Sequence, residues 1–374
     1  MTEYSESKEF RILSAIGIIL VVAGHLGYNL FDVGGLFPYY SFHVFIFLFV
    51  SGYFYKREVE NNILSYLRRK CVTLLLPYFV WNLLYGIFAH ILHRAGFTIG
   101  QELSLYTLLV APFDGGHQFM YHFPSWFVPV LFLIEVMNVC GRKLLSLVHL
   151  ENEWLILAGC LVAGMLTVWL AQGGHVWGLY RNPARLLFML PGFQFGRIYR
   201  EELEHHDTLP DGSYFLIVMG IQLMIAIFCG GRLAFGAVWV SSFANGPVVP
   251  YLTVVTGIAF WLRVARIIQN IPILSKKMVC IGRNTYSIMM HHIMGFFLVK
   301  CVFYLLHIWT PFCTEFDTEM FFSEINFVYL PGGVEAGKWI YLMVGIVFPL
   351  MIGRLQQASS GILQYRVWKR SEKV

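Results

Sequence analysis

The segment that decides the architecture is residues 11–30, which read RILSAIGIILVVAGHLGYNL. After Arg11 this stretch contains no charged side chain, and His25 lies towards its far end. A helix that crosses a bilayer needs about 20 predominantly apolar residues. Residues 11–30 therefore predict a membrane-spanning helix with a histidine in the half opposite its start.

The composition of the whole chain supports a membrane protein. Of its 374 residues, 57% are apolar, 17% are aromatic and only 13% are charged, and the mean hydropathy is +0.62. Soluble domains carry about 25% charged residues, so this chain lacks the polar surface that water requires. The small net charge of +5 is spread in short clusters, which argues against a nucleic-acid partner. The seven cysteines are scattered without a C-x-x-C motif, which argues against a disulfide framework or a zinc site.

The apolar stretches predict an all-α membrane bundle of about ten transmembrane helices in a single domain that covers residues 1–374. The predicted spans are 11–30, 39–55, 72–92, 124–140, 153–171, 183–199, 214–230, 247–262, 279–307 and 338–353.

Lys and Arg residues in the connections predict the orientation. Cytoplasmic connections are richer in these residues than connections on the other side of the membrane. One alternating set of connections holds nearly all of them, whereas the other set holds only Arg94, Arg181 and Arg232. We therefore expect both termini to be cytoplasmic and the connections 93–123 and 308–337 to face outwards.

Polar side chains inside the predicted spans are candidates for function, because each costs several kcal/mol in lipid unless it is paired or hydrated. The set consists of His25, His43, Asn82, Glu135, Arg185, Asn284, His291 and His292. At a rise of about 1.5 Å per residue, His25, His43 and His292 reach a similar depth, and Arg185 and Trp126 lie near it. A neutral imidazole can act as a general base or a nucleophile, and a guanidinium can hold an anion or an oxyanion. We therefore predict His25, His43 and His292 as catalytic, and Arg185, Trp126, Glu135 and Asn284 as contacts of the substrate.

Each of these residues also has a purely structural interpretation. A histidine in an apolar helix can be a hydrogen-bonded packing residue, and Glu135 and Asn284 can join neighbouring helices. Trp126 can belong to the aromatic belt at the membrane surface. His291 and His292 point about 100° apart on a helix, so we expect only one of them to face the site.

Four segments resemble the integral-membrane acyltransferase-3 family, whose members acylate sugars and especially bacterial surface polysaccharides. They are residues 18–25 (IILVVAGH), residues 42–53 (FHVFIFLFVSGY), residues 69–79 with Arg69-Lys70 and Leu76-Pro77-Tyr78-Phe79, and residues 281–292 with Ile281-Gly282-Arg283-Asn284-Thr285-Tyr286-Ser287 and His292. Residues 126–129 (WFVP) and 191–196 (PGFQFG) are weaker matches. The ordered set spans most of the chain.

The resemblance implies roles for individual residues. His25 matches the essential histidine of the family, His292 matches its late histidine, and His43 resembles the second-span histidine of the glycan O-acetylase branch. The family usually has Arg or Lys eleven residues before the first-span histidine, where this chain has Ser14, and Arg11 lies three residues earlier. The resemblance thus places Arg11, Ser14, Arg69 and Lys70 on the donor side. Arg69 and Lys70 can also be explained without a donor site, by the excess of Lys and Arg in cytoplasmic connections.

The resemblance further implies the reaction and the partners. The donor would be acetyl-CoA, with no permanently bound cofactor, and the acceptor would be a hydroxyl of a bacterial surface polysaccharide or of its lipid-linked sugar precursor. The protein would lie in the inner membrane among membrane lipids, and polysaccharide assembly proteins are further candidate partners.

Two other classes of protein fit the same composition. A transporter or flippase of a lipid-linked sugar also needs central polar groups, although the sequence shows no inverted repeat of the kind many transporters have. A non-catalytic scaffold of a polysaccharide export complex is the second alternative. Acetyl-CoA-dependent incorporation of acetate into glycan separates the enzyme from both.

Overall fold

The helices of the bundle follow the apolar stretches of the sequence. The computed structural model describes residues 7–27, 33–176, 178 and 181–371, with side chains described as far as Gln356. The helices are α1 (Lys8–Gly24), α2 (His43–Tyr53), α3 (Ile63–Lys70), α4 (Leu76–Arg94), α5 (Leu105–Leu109), α6 (Ala111–Asp114), α7 (Phe127–Leu147), α8 (Glu153–Gln172), α9 (Arg181–Ile198), α10 (Asp211–Phe228), α11 (Val249–Ile268), α12 (Pro272–Arg283), α13 (Thr285–Trp309), α14 (Thr318–Ser323) and α15 (Lys338–Ser371). No β-strand occurs in these ranges.

The fold class predicted from the sequence, an all-α polytopic membrane bundle, is confirmed. Within the described ranges, seven helical segments are long and apolar enough to cross a bilayer: 63–94, 123–147, 153–172, 211–228, 249–268, 285–309 and 335–356. The other three predicted spans contain α1 with 17 residues, α2 with 11 residues and α9, which carries Arg181, Arg185 and Arg197. The number of ten spans stays a prediction.

Two predicted spans differ in their limits from the helices that form. Helix α1 begins at Lys8 and ends at Gly24, so His25 is the residue that caps it rather than a residue inside it. The ninth predicted span contains two helices, α12 and α13, which meet at Asn284. Asn284 leaves the helical conformation (φ −113°, ψ 19°), and its side-chain amide donates to the carbonyl of Cys280 at 2.8 Å. Such local bonds from Asn compete with the helical ladder.

Helix α1 lies at the centre of the bundle. It packs against α2, α11, α12, α13 and α15, and most of its side chains are buried. A helix that is apolar on all sides is expected to be surrounded by other helices in this way. The central position of α1 lets His25 meet residues from several helices.

Helices α2 and α9 approach each other closely because glycines lie between them. A Cβ atom at Gly52 would lie 1.8 Å from the carbonyl oxygen of Phe193, and one at Gly196 would lie 1.9 Å from the carbonyl oxygen of Phe49. Small residues permit this backbone contact between membrane helices. The contact fixes the position of α2, which carries His43.

We expect Gly196→Ala to destabilise the protein by about 1–3 kcal/mol, because the new methyl group would collide with a backbone oxygen that cannot move alone. Gly220→Ala is the matched control, since a Cβ atom there meets nothing within 4 Å. Thermal unfolding of the two variants in detergent measures the difference. Equal unfolding temperatures for both variants would contradict the close contact.

Several ion pairs lie at one end of the bundle, which we call the basic end. They join the helices that start there, α1 and α8, to the helices that end there, α7, α9 and α11. Glu153 binds Arg57 at 2.7 Å and Arg142 at 2.6 Å, and Arg197 lies 3.5 Å away. Arg266 pairs with Glu9 at 3.0 Å. These arginines come from the connections that the Lys and Arg pattern assigns to the cytoplasm, and that sidedness stays a prediction.

Candidate functional site

Two cavities in the bundle contain most of the residues that the sequence singles out. The basic cavity, of about 760 Å³, lies at the basic end and is lined by Arg11, Ser14, Arg69, Lys70 and Glu135 among others. The second cavity, which we call the histidine chamber, has a volume of about 230 Å³ and is lined by His25 and His43.

The histidine chamber joins residues from separate helices. His25 follows the end of α1, and His43 is the first residue of α2. The ring of His292, from α13, stacks on the ring of His25 with their centroids 5.3 Å apart and an angle of 27° between the planes. The three predicted catalytic histidines are therefore brought to one place.

Hydrogen bonds determine which nitrogen of two of these rings is basic. Nδ1 of His292 lies 2.7 Å from the carbonyl oxygen of Ile288, and Nδ1 of His43 contacts the carbonyl oxygen of Tyr39. A carbonyl oxygen only accepts, so each Nδ1 carries the proton and each Nε2 keeps a lone pair. The Nε2 atom of His292 is buried and has no hydrogen-bond partner within the described ranges.

His25 is the most open of the three rings. Its side chain is partly exposed, whereas His43 and His292 are buried. It packs edge-on against Phe123, with ring centroids 4.8 Å apart, and has no hydrogen bond to any described residue. Its nitrogens are therefore available to a molecule in the chamber.

His291 belongs to a different group of side chains. Its Nδ1 lies 2.8 Å from the hydroxyl of Tyr85, and its ring centroid is 4.2 Å from that of Trp81. The ring of Tyr85 stacks on His122, with centroids 4.5 Å apart. His291 and His292 thus face different surroundings, in line with the expected 100° between neighbouring helical positions.

Trp126 forms one side of the chamber, and Arg185 packs against the Trp126 ring without lining the chamber itself. The guanidinium carbon of Arg185 lies 5.2 Å from the centroid of the Trp126 ring. Arg185 is only 1% exposed. Its Nε and Nη2 atoms have no hydrogen-bond partner among the described residues.

Three further aromatic residues at or next to the chamber were missed by sequence reasoning. Tyr40 and Trp239 line the histidine chamber, and His117 stacks on Trp239 with ring centroids 5.0 Å apart. His117 and Trp239 lie in connections between predicted spans, and Tyr40 lies at the start of the second predicted span, where nothing but its aromatic ring singled it out.

Burial and neighbouring charges set the protonation of His117 and Asp114. The pKa of His117 is lowered to about 4, mainly by burial and to a smaller extent by the positive charges of Arg185 and Arg181, against the hydrogen bond to the carbonyl of Gly115. Burial would raise the pKa of Asp114, but its hydrogen bond and ion pair with Arg181 hold that pKa below its usual value. At neutral pH His117 is therefore uncharged and Asp114 is ionised.

The basic cavity collects all four residues predicted for the donor side. Arg11 and Ser14 come from α1, and Arg69 and Lys70 from α3. The hydroxyl of Ser14 donates to the carbonyl of Phe10 at 2.8 Å. The cationic side chains of Arg69 and Lys70 suit the phosphates of a nucleotide.

Two residues predicted to contact the substrate, Glu135 and Asn284, lie away from the histidine chamber. Glu135 lies in the basic cavity, where it accepts from Nζ of Lys70 at 2.7 Å. Asn284 lies two residues beyond Gly282, whose Cα packs against the backbone of Arg11, so it is at the level of the basic cavity. Polarity alone suggested both residues, and their depth excludes them from the chamber.

Only a thin layer separates the two cavities. Phe47 lines the histidine chamber and Val50 lines the basic cavity, so a single turn of α2 separates their linings. Phe47 and Phe127 meet with ring centroids 5.9 Å apart.

Within the described ranges, no group of three or more His, Cys, Asp or Glu residues is arranged to hold a metal ion.

Comparison with known proteins gives one match. The family model described as an acyltransferase domain, that of the acyltransferase-3 family, matches residues 8–350. No curated protein and no solved structure matches the chain. The matched segment includes both cavities.

Proposed function

This chain belongs to the acyltransferase-3 family, and from that premise we propose that it transfers an acetyl group from acetyl-CoA to a hydroxyl of a glycan. The acceptor is a bacterial surface polysaccharide or its lipid-linked precursor, and the protein acts in the inner membrane. The observation that supports this proposal is the pair of stacked rings, His25 and His292, at the opposite end of α1 from a basic cavity.

The donor enters from the basic end. The phosphates of acetyl-CoA bind Arg11, Arg69 and Lys70, since guanidinium and ammonium groups are the usual partners of phosphate. The acetyl thioester then passes the Phe47–Phe127 pair into the histidine chamber. Arg11 lies 14 residues before His25, or roughly 21 Å along α1, so the donor's phosphates stay well away from the reacting atoms.

The histidines provide the proton transfer. A basic imidazole nitrogen, on His25, removes the proton from the acceptor hydroxyl, and the oxygen attacks the thioester carbonyl carbon. The C–O bond forms, the C–S bond breaks, and the thiolate of CoA takes up the proton. A route through an acetyl group held on His25 uses the same residues. His292 supports the His25 ring, and His43 and Arg185 position the acceptor.

The function is tested with purified protein in lipid vesicles. Labelled acetyl-CoA and a lipid-linked glycan are supplied, and we expect label in the glycan that mild alkali releases, as an acetyl ester requires. Movement of the glycan across the bilayer without label would indicate a transporter instead. If the glycan is neither labelled nor moved across the bilayer, the result supports the scaffold alternative.

We expect Arg69→Gln to raise the KM for acetyl-CoA roughly tenfold with little change in kcat, because a lost charged hydrogen bond to a phosphate weakens binding by about 1.5 kcal/mol or more. Arg68→Gln is the matched control, since Arg68 is exposed at the neighbouring position and does not line the basic cavity. Steady-state kinetics with varied acetyl-CoA measure both constants. An equal KM for the two variants would exclude Arg69 from the donor site.

A further inference from the structure

Arg185 differs from the other buried arginines. The described part of the chain has four of them: Arg142, Arg185, Arg197 and Arg263. Each of the other three lies in an ion pair with at least one carboxylate. Arg185 has no such pair with any described residue and is the most deeply buried of the four. A guanidinium stays charged in proteins, so this charge is buried without a counter-ion among the described residues.

The residues around Arg185 do not supply the missing negative charge. Asp114 is the nearby acid, and its Oδ1 atom accepts from Arg181 at 2.8 Å and from Asn182 at 3.3 Å. His117 is uncharged at neutral pH, as shown above. The group of Arg181, Arg185 and Asp114 therefore has a net charge of one positive unit.

The contact with Trp126 compensates this charge only in part. The face of an aromatic ring attracts a cation, but the Nε and Nη2 atoms of Arg185 still lack acceptors among the described residues. A buried donor without an acceptor is costly, and a buried charge more so. An anion bound beside Trp126 would supply both the negative charge and the acceptors that the described residues lack.

We propose that Arg185 binds a permanent anionic group of the acceptor, a phosphate or a carboxylate, at the Trp126 side of the histidine chamber. This proposal rests on the proposed function and specifies its substrate. The planar guanidinium matches both groups because it can donate two parallel hydrogen bonds. The phosphate of a lipid-linked sugar and the carboxylate of an acidic sugar are the two sources. A neutral glycan is then a poor acceptor.

The test measures binding without acetyl transfer. Thermal unfolding of the full chain in detergent is followed with glucose 1-phosphate, glucuronate or glucose added. We expect one or both anions to raise the unfolding temperature of the wild type, and glucose to leave it unchanged. Protection by glucose 1-phosphate alone supports the phosphate source, and protection by glucuronate alone supports the acidic sugar. Equal protection by glucose, or protection by none of the three, overturns the proposal.

Two variants identify the residue responsible. Arg185→Met should raise the dissociation constant of the protecting anion roughly tenfold or more, whereas Arg232→Gln, an exposed arginine outside the chamber lining, should leave it unchanged. Without a ligand, Arg185→Met should unfold at the same temperature as the wild type or higher, because it removes an uncompensated charge. A lower unfolding temperature would show that Arg185 is structural and would overturn the proposal. Anion binding without acetyl transfer would instead leave the subsite standing and contradict the proposed function.

Discussion

We expect His25→Ala to lower kcat/KM for acetyl transfer by about 10²–10⁴-fold, the usual contribution of a general base. The expectation depends on the position of the ring. His25 is the partly exposed histidine of the chamber, and its ring forms no hydrogen bond to any described residue. Its replacement therefore removes a basic nitrogen from the chamber without breaking a hydrogen bond of the fold.

His25→Gln gives a stricter version of the same test, because the amide keeps a polar group of similar reach but offers no basic nitrogen. His90→Ala is the matched control, since His90 is exposed on α4 and outside both cavities. Transfer of labelled acetate to glycan is measured together with the amount of folded protein in the membrane. Full activity in either His25 variant would remove this residue from the mechanism.

We expect Glu153→Gln to have the largest effect on stability and to lower the free energy of unfolding by about 3–5 kcal/mol. Glu153 is 5% exposed and accepts two hydrogen bonds from Arg142, at 2.8 and 2.6 Å. It also binds Arg57 at 2.7 Å and Gln194 at 2.6 Å. Loss of the carboxylate leaves Arg142 as a buried guanidinium without a carboxylate partner.

The control for this prediction lies two residues away. Glu151 contacts the same Arg57 at 3.5 Å, but its side chain is 56% exposed. Exposed pairs contribute about 0–1 kcal/mol, so Glu151→Gln should change the free energy of unfolding by no more than that. Unfolding of both variants in detergent is compared with the wild type. A loss for Glu153→Gln as small as that for Glu151→Gln would contradict a structural role for this network.

The features that sequence could predict are those set by spacing along one segment. Long apolar runs predicted the helical bundle, and the rise per residue placed His25, His43 and His292 at one depth. The 100° step between neighbouring helical positions separated His291 from His292. The four residues that the family resemblance assigned to the donor also share one cavity, because the start of α1 and the end of α3 lie at the basic end.

The remaining parts of the site depend on contacts between distant segments. Trp239 lies in an irregular connection and Tyr40 in the short turn of helix before α2, and only the folded chain brings them together at the chamber. Glu135 was predicted from polarity without regard to depth, although it lies well along α7 towards the basic end. The break at Asn284 depends on a local hydrogen bond, which the apolar pattern of residues 279–307 does not reveal.

The shortness of α2 sets the distance between the two cavities. Its 11 residues rise about 16 Å, roughly half of the 30 Å hydrocarbon thickness of a bilayer. His43 lines one cavity and Ser51 the other, and eight residues correspond to about 12 Å. This separation is less than half of the hydrocarbon thickness, so in the proposed reaction only the acyl group would have to cross between the cavities, while the much larger donor and acceptor each stay in their own cavity.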